Sequence, residues 1–485
     1  MKRLFGADGI RGKVDTHPLT VSATERLGRA LAAWLRQTVF APVCLVATDT
    51  RESCQRLKGA VVTGLRRGGV RVVDANVVPT AAVSYLIAEK GHFAGGVMIS
   101  ASHSSIEENG IKVFDQTAVK VSDETEEWIE YLFFGERPLP LELKLGGYSA
   151  EPTYALDYGR DLAREYRDFD WPRIRLVLDC AHGAAYQVAP RVCDALHLPY
   201  TLLHAAPNGT NINQAAGTEY VRLAPRRFAQ ELERHHADIA VAVDGDADRV
   251  VLVDRAGHFY DGDTLIALLA DRLKTTHQLC GNTVVITPMS NSGLPRFLRS
   301  KGIHTASVHN GDKYITDKLL TDDLTLGGEE IGHVIIRDRP TRLTGDGLRT
   351  ALTVLSEWTR TTDVPLWNAV ADLRKVQQIK ASIYTGRVGY PTPEAVPGLQ
   401  DLLACTSETI GDLVRPIVCR PASTEPVYRV VMESYLTPVS VLAQHAQRIG
   451  RHVQQRIGCL GRPITIFDCV NGGLLEPPAS GAMML

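Results

Sequence analysis

Three times along this chain a short apolar run ends in a polar turn, after which the spacing of apolar residues becomes helical. The turns read TDTRES (48–53), DCAHGAA (179–185) and PMSNSG (288–293). Strands that alternate with helices need crossover connections, and such connections build mainly parallel sheets with helices on their faces. The detail fits. Leu27, Leu31 and Leu35 lie four apart within 23–37, which predicts a helix with one apolar face. PVCLVATDTRE predicts a buried strand ending near Asp49. LKGAVVTGLRRGGV predicts a helix closed by Gly68 and Gly69, RVVDANVV a strand and TAAVSYLIAEKG a helix. The last hundred residues differ. PVYRVVMES alternates like a half-exposed strand, and VSVLAQHAQRIGRHVQQRIG is a long amphipathic helix.

At 485 residues, and about 100–200 per domain, three or four domains are expected. The reading is three similar α/β domains with mixed, mainly parallel sheets, at 1–152, 153–256 and 257–372. A smaller α+β domain follows at 373–475, then a loose tail at 476–485. The 53 basic and 55 acidic residues nearly cancel, so the broad basic face of a nucleic-acid or anionic-membrane binder is not expected. Nine scattered cysteines with no CxxC pair argue for reduced thiols in a cytoplasmic setting rather than a disulfide framework. MKRLFGADGIRG becomes polar too early for a signal peptide, and no apolar run approaches the ~18 residues of a membrane span.

Four stretches could carry chemistry. In GGVMISASHSSIEENGIKVF (95–114) an apolar strand runs into a serine-rich loop with His103 beside Ser102. Such a loop is either a solvated turn or the presentation of one hydroxyl. In IAVAVDGDADRVVLVD, Asp244, Asp246 and Asp248 alternate at the end of an apolar strand. Three carboxylates so close repel one another unless a cation neutralises them, and hard oxygens suit magnesium. The alternative, an exposed acidic turn, fits poorly between two apolar strands. LGGEEIGHVI (326–335) places Glu329 and His333 in a tight glycine loop, although a glutamate pair is usually solvated. CRPASTEPVYR (419–429) offers Arg420, Ser423 and Thr424 to an anion, or is simply a turn between prolines.

Together, and in order along nearly the whole chain, these motifs resemble the α-D-phosphohexomutases. FGADGIRG is similar to that family's opening motif, SASHSSIEENGIKVF to its phosphoserine loop and DGDADR to its metal loop. GGEEIGH is similar to its sugar loop and RPASTEP to its phosphate loop. MSNSGL and TGDG resemble the glucosamine branch. The resemblance implies four domains around a central cleft, with Ser102 as the carrier of a transferable phosphate and His103 and Lys112 positioning or protonating around it. It implies one Mg²⁺ held by Asp244, Asp246 and Asp248 together with phosphoserine 102, and Arg249 neutralising phosphate. Arg11, Glu329, Ile331 and His333 would meet the sugar phosphate, and Arg420, Ser423, Thr424 and Arg429 its own phosphate group. The implied reaction interconverts glucosamine 6-phosphate and glucosamine 1-phosphate through a bisphosphate. A phosphohexomutase for glucose, mannose or another amino sugar, or a weakly active sugar-phosphate-binding paralogue, is the alternative; a homodimer is allowed. The chain departs from the family pattern at Ala7, at Ser104-Ser105 in place of Asn-Pro, at Ile331 in place of a serine, and at Ala422-Ser423 in place of serine and glycine.

Overall fold

The computed structural model describes residues 4–6, 8–135, 139, 145–171, 174–361, 365–386, 390–422 and 427–475. The tail and two of the expected phosphate-loop residues, Ser423 and Thr424, lie outside them, as does Ala7. The chain forms two compact units. One comprises Met1–Val221, Arg226–Ser290 and Leu298–Val370; the other comprises Arg222–Pro225, Asn291–Phe297 and Ala371–Leu485.

The first unit holds three mixed sheets. The seven-stranded sheet runs in the order Phe5–Gly6, Gly9–Lys13, Glu108–Asp115, Gly95–Ile99, Val43–Thr48, Arg71–Val77, Tyr148–Ala150. Its last four strands are parallel and the others antiparallel. Val43–Thr48 is almost wholly apolar because helices cover both its faces. Helix Val21–Thr38 is capped by the Thr20 side chain, which accepts from Ala23 N; it buries Leu27, Leu31 and Leu35 as their spacing predicts. The helix expected from Leu57 begins earlier, at Glu52. The TDTRES turn is therefore only two or three residues long, because Arg51 leaves the strand end already committed to buried contacts described below.

The second sheet orders Phe259–Tyr260, Val250–Asp254, Ile239–Val243, Leu176–Asp179 and Tyr200–Leu203; the last three are parallel and the first two pairings antiparallel. The third orders His304–Ser307, Thr283–Ile286, Leu326–Gly328 and Val334–Ile336, parallel except for its last pair. In all three the polar loops leave the carboxyl ends of the parallel strands, where α/β folds bind ligands.

The second unit is built on a four-stranded antiparallel sheet, in the order Val418–Pro421, Val427–Ser434, Gln377–Tyr384, Ile464–Asp468. Helices Leu399–Ile410 and Val439–Arg456 supply Leu399, Leu442, Ala446 and Ile449 to its core. The MSNSG turn belongs partly to this unit. Asn291 exchanges two hydrogen bonds with the backbone of Val376, and Ser292 donates to the buried Glu433 carboxylate. Among the described residues no helix is long and apolar enough to cross a membrane.

Candidate active site

Strand Gly95–Ile99 pairs antiparallel with Glu108–Asp115, and the serine loop joins them. Ser102 is fully buried and sits in the left-handed region, with φ of 52°. A serine there is strained, and it stays only because its surroundings hold it. Ser102 N donates to Ser100 Oγ at 2.9 Å, and Ser100 Oγ donates to Asp49 Oδ2 at 2.7 Å. Asp49 in turn pairs with Arg51 Nε at 3.0 Å, both side chains fully buried. The Arg51 guanidinium then donates to the carbonyls of Ser102 (3.2 Å), Ser104 (2.8 Å), Ser105 and Glu108 (3.2 Å). From the other side Asn213 Nδ2 donates to the same Ser102 carbonyl at 2.7 Å.

The metal loop is the connection of an antiparallel hairpin, Ile239–Val243 with Val250–Asp254. Asp244, Asp246 and Asp248 are all buried, and one oxygen from each lies within 4.8 Å of the others. Oδ1 of Asp246 and of Asp248 is buried without a hydrogen-bond partner. Burial, followed by the charges of Asp248 and Asp246, pushes Asp244 up to about 8. Uncompensated carboxylate oxygens facing one another are what a hard divalent cation needs, so the three aspartates could hold a metal. Ser102 Oγ donates to Asp244 Oδ2. Gly245 makes this approach possible: a Cβ there would stand 2.5 Å from the Ser102 carbonyl oxygen.

Lys112, on strand Glu108–Asp115, is fully buried and bonds Asp246 Oδ2 at 2.8 Å and Asp248 Oδ2 at 2.6 Å. Burial works against its charge, but Asp246, Asp248 and Asp8 outweigh burial and hold the ammonium well above its usual range. Arg249 Nη1 lies 2.7 Å from His103 Nδ1. Burial, reinforced by Arg249, presses His103 down to about 3. His103 is therefore neutral and accepts at Nδ1, which leaves the N–H on Nε2. Arg11 pairs with Asp8, leaving its buried Nη1 without a partner.

The sugar loop meets the metal loop. Arg249 and His333 form an antiparallel bridge between their backbones, and His333 Nδ1 lies 3.8 Å from Asp248 Oδ1. His333 Nε2 is 3.5 Å from Asp312 Oδ2, which pairs with Lys120 Nζ at 2.6 Å. Lys120 also pairs with Asp8, and Asp8 lies 3.7 Å from Lys112 Nζ. A closed ring of alternating basic and acidic groups results: Lys112, Asp8, Lys120, Asp312, His333, Asp248. Glu329 accepts from Gly311 N at 3.2 Å, and burial raises its pKa. Ile331 is half-buried in the same loop.

In the second unit Arg420 and Arg429 are directly opposite on neighbouring antiparallel strands. Arg420 is exposed, whereas Arg429 donates to Ser382 Oγ. Like charges facing across a strand pair cost stability unless an anion joins them. Ala422 N closes the hairpin onto Val427 O at 2.8 Å.

The first unit thus brings Ser102, His103, Lys112, the three aspartates, Arg249 and His333 together, with Arg11 linked through Asp8. Sequence reasoning had singled out none of Asp8, Asp49, Arg51, Lys120, Asn213 or Asp312. Asp8 and the Asp49–Arg51 pair were in view inside FGADGIRG and TDTRES, but a one-dimensional reading could not say that their partners stand dozens to hundreds of residues away. Thr80 was missed too; its backbone N and Oγ1 both donate to Asp246.

Comparison with known proteins places these residues in a family. The models for phosphoglucomutase/phosphomannomutase α/β/α domains I, II and III match residues 2–139, 160–257 and 261–376. The chain belongs to the phosphoglucomutase/phosphomannomutase family, whose members are phosphohexomutases. Among its relatives, the phosphoglucosamine mutase of Caldicellulosiruptor bescii is 34% identical over 452 residues, covering 89% of this chain and 95% of the relative. That of Desulforudis audaxviator is 36% identical over 437 residues, covering 90% and 94%. A phosphoglucomutase/phosphomannomutase family protein from Burkholderia thailandensis shares the fold with a TM-score of 0.73 at 22% identity, covering 95% of this chain and 98% of its own.

Proposed function

We propose that this enzyme interconverts glucosamine 6-phosphate and glucosamine 1-phosphate, with Ser102 carrying the phosphate between turnovers. The observation that carries the proposal is Ser102 itself, held in a strained conformation with its hydroxyl on the buried aspartate cluster and Lys112 and Arg249 around it. The curated relatives named above support the sugar.

Phosphoryl transfer leaves protein groups little covalent work beyond positioning and charge neutralisation. Phosphoserine 102 meets a hexosamine monophosphate. The Ser102 Oγ–P bond breaks as a bond forms from phosphorus to a sugar hydroxyl oxygen, and overall one proton passes from that hydroxyl to Ser102 Oγ. The bisphosphate turns end for end, and Ser102 Oγ takes back the other phosphoryl group in the reverse of the same exchange. Asp244, Asp246 and Asp248 would hold Mg²⁺, which would supply neutralisation of phosphoryl oxygen charge. Lys112 Nζ, beside the cluster, stays an ammonium and adds positive charge next to the phosphoryl group. Neutral His103, fixed by Arg249, presents Nε2–H to a phosphoryl oxygen, and Arg11 offers its unpaired Nη1. Glu329 and His333 read the sugar hydroxyls, with Ile331 adding an apolar contact. Arg420 and Arg429, with Ser423 and Thr424, hold the substrate's non-transferring phosphate. Free cysteines among the described residues support a reducing, cytoplasmic setting.

Turnover of glucosamine, glucose and mannose phosphates, measured side by side, tests the sugar; glucosamine phosphate should have the highest kcat/KM. Intact mass spectrometry should find phosphate on Ser102, and Ser102→Ala should lower turnover by at least a thousandfold with little change in Tm. A fully active Ser102→Ala enzyme overturns the proposal.

A further inference from the structure

The Thr344-Gly345-Asp346-Gly347 turn takes no part in the transfer derived above, yet it touches two of its components at once. The turn precedes helix Gly347–Thr361. Asp346 Oδ1 accepts from Arg349 N at 3.0 Å, and the Asp346 carbonyl accepts from Thr350 N at 2.9 Å. These bonds alone describe an ordinary helix start. Asp346 Oδ2, however, is bound at 2.7 Å by the hydroxyl of Tyr158. Tyr158 is buried and belongs to a distant helix, Tyr154–Tyr166. The turn is thereby pinned from outside its own helix.

Its two glycines face different neighbours. A Cβ on Gly345 would stand 2.4 Å from both Cε1 and Nε2 of His333 and 2.8 Å from the Asp248 carbonyl oxygen. A Cβ on Gly347 would stand 2.4 Å from the Arg249 carbonyl oxygen and 3.1 Å from that of Ala247, to which Gly347 N donates at 2.9 Å. Neither glycine has a positive φ, so each is required for space and not for conformation. The ring of His333 can occupy its place beside Asp248 only because position 345 has no side chain. The backbone of the metal loop can close against the helix start only because position 347 has none.

We propose that this turn is a positioning element that sets His333 against the metal loop, with Gly345 fixing the histidine ring, Gly347 fixing the Ala247–Arg249 backbone and the Tyr158–Asp346 hydrogen bond anchoring both. The inference rests on the mutase reading for what His333 and the aspartates do, and on geometry alone for where they are held. The turn serves two separable tasks, so two substitutions two residues apart have different consequences. A turn that merely starts a helix would respond alike to both.

Gly345→Ala and Gly347→Ala test this. Gly345→Ala should raise KM for glucosamine 6-phosphate at least tenfold while raising the Mg²⁺ concentration that gives the half-maximal rise in Tm by less than threefold. Gly347→Ala should raise that Mg²⁺ concentration at least tenfold, read on the protein without substrate. NMR of protein carrying labelled histidine should show the His333 ring resonance displaced further in Gly345→Ala than in Gly347→Ala; this readout stands even if the enzyme acts on a different sugar. If either alanine variant fails to fold, Tyr158→Phe takes its place: it keeps the ring, removes the anchor, and should lower kcat/KM about tenfold with the His333 resonance broadened or displaced. Equal effects of the two alanine variants on KM and on Mg²⁺ response, or an undisturbed His333 resonance in Gly345→Ala and Tyr158→Phe, overturn the proposal.

Discussion

Replacing Arg51 by methionine should damage this protein in two measurable ways, although Arg51 touches no substrate. Its side chain is fully buried beside the equally buried Asp49, with Nε at 3.0 Å from Oδ2. Removing one partner of a buried ion pair leaves an uncompensated charge and costs about 3–5 kcal/mol. Asp49 keeps some help, since Arg51 N, Ser100 Oγ and Cys54 Sγ also approach it. Against that, the carbonyls of Ser102, Ser104, Ser105 and Glu108 lose their shared donor. A loss of about 4 kcal/mol is therefore expected. In a cooperative unit of this size about 2 °C is lost per kcal/mol, so Tm should fall by about 8 °C. The chemical consequence follows from Asp49–Ser100–Ser102: without the arginine the serine loop loses the frame that keeps Ser102 in its left-handed conformation, and the fraction of protein phosphorylated at Ser102 should fall with kcat. Thermal melts and intact mass spectrometry on the same samples measure both. Adding Asp49→Asn to Arg51→Met removes the stranded charge and should recover part of the stability but not the phosphoserine. A Tm within 2 °C of wild type with full phosphorylation would show that the guanidinium is not the frame of the loop.

The metal loop, the charge ring and the second unit give three more expectations. Asp244→Asn removes a carboxyl that ionises beside two buried carboxylates only near pH 8, so in chelator above pH 8 its Tm should equal or exceed that of wild type, while Mg²⁺ no longer raises it; a lower Tm there refutes the repulsion argument. Lys120→Met strands Asp8 and Asp312 at once and should cost about 3 kcal/mol in a melt together with most of kcat, whereas Lys120→Arg should retain most of both; a silent Lys120→Met would mean the ring is incidental. Asp412 is held down to about 2 by hydrogen bonds from Thr437 and Ser434. A carboxyl whose folded pKa is depressed contributes stability that is present above its unfolded value near 4 and lost as pH falls through the folded value. The stability gap between wild type and Asp412→Asn should thus be constant from pH 8 to about 5 and shrink toward pH 2; a gap that widens in acid contradicts the assignment.

Much of the molecule was legible in one dimension. Apolar runs such as VCLVAT are strands because only a sheet covered on both faces buries every side chain, and Leu27, Leu31 and Leu35 are a helix face because of their spacing. The burial of Ser102 beside the aspartates was foreshadowed in sequence, because carboxylates at alternate positions between apolar strands, and a serine at a strand end, are expensive arrangements. Tertiary structure alone decided what surrounds them. Lys112 bonds Asp246 and Asp248, more than a hundred positions away; Arg51 reaches four carbonyls of a loop fifty residues on; Lys120 joins Asp8 to Asp312. Gly345 and Gly347 read in sequence as parts of a motif and a helix start, and only the folded chain reveals that a methyl group at either would strike the histidine or the metal loop. Local sequence sets periodicity, turns and the intrinsic chemistry of a side chain. The burial that shifts a pKa, the partner that satisfies a charge and the space that admits a ring are properties of surfaces brought together from distant segments, and those belong to the fold.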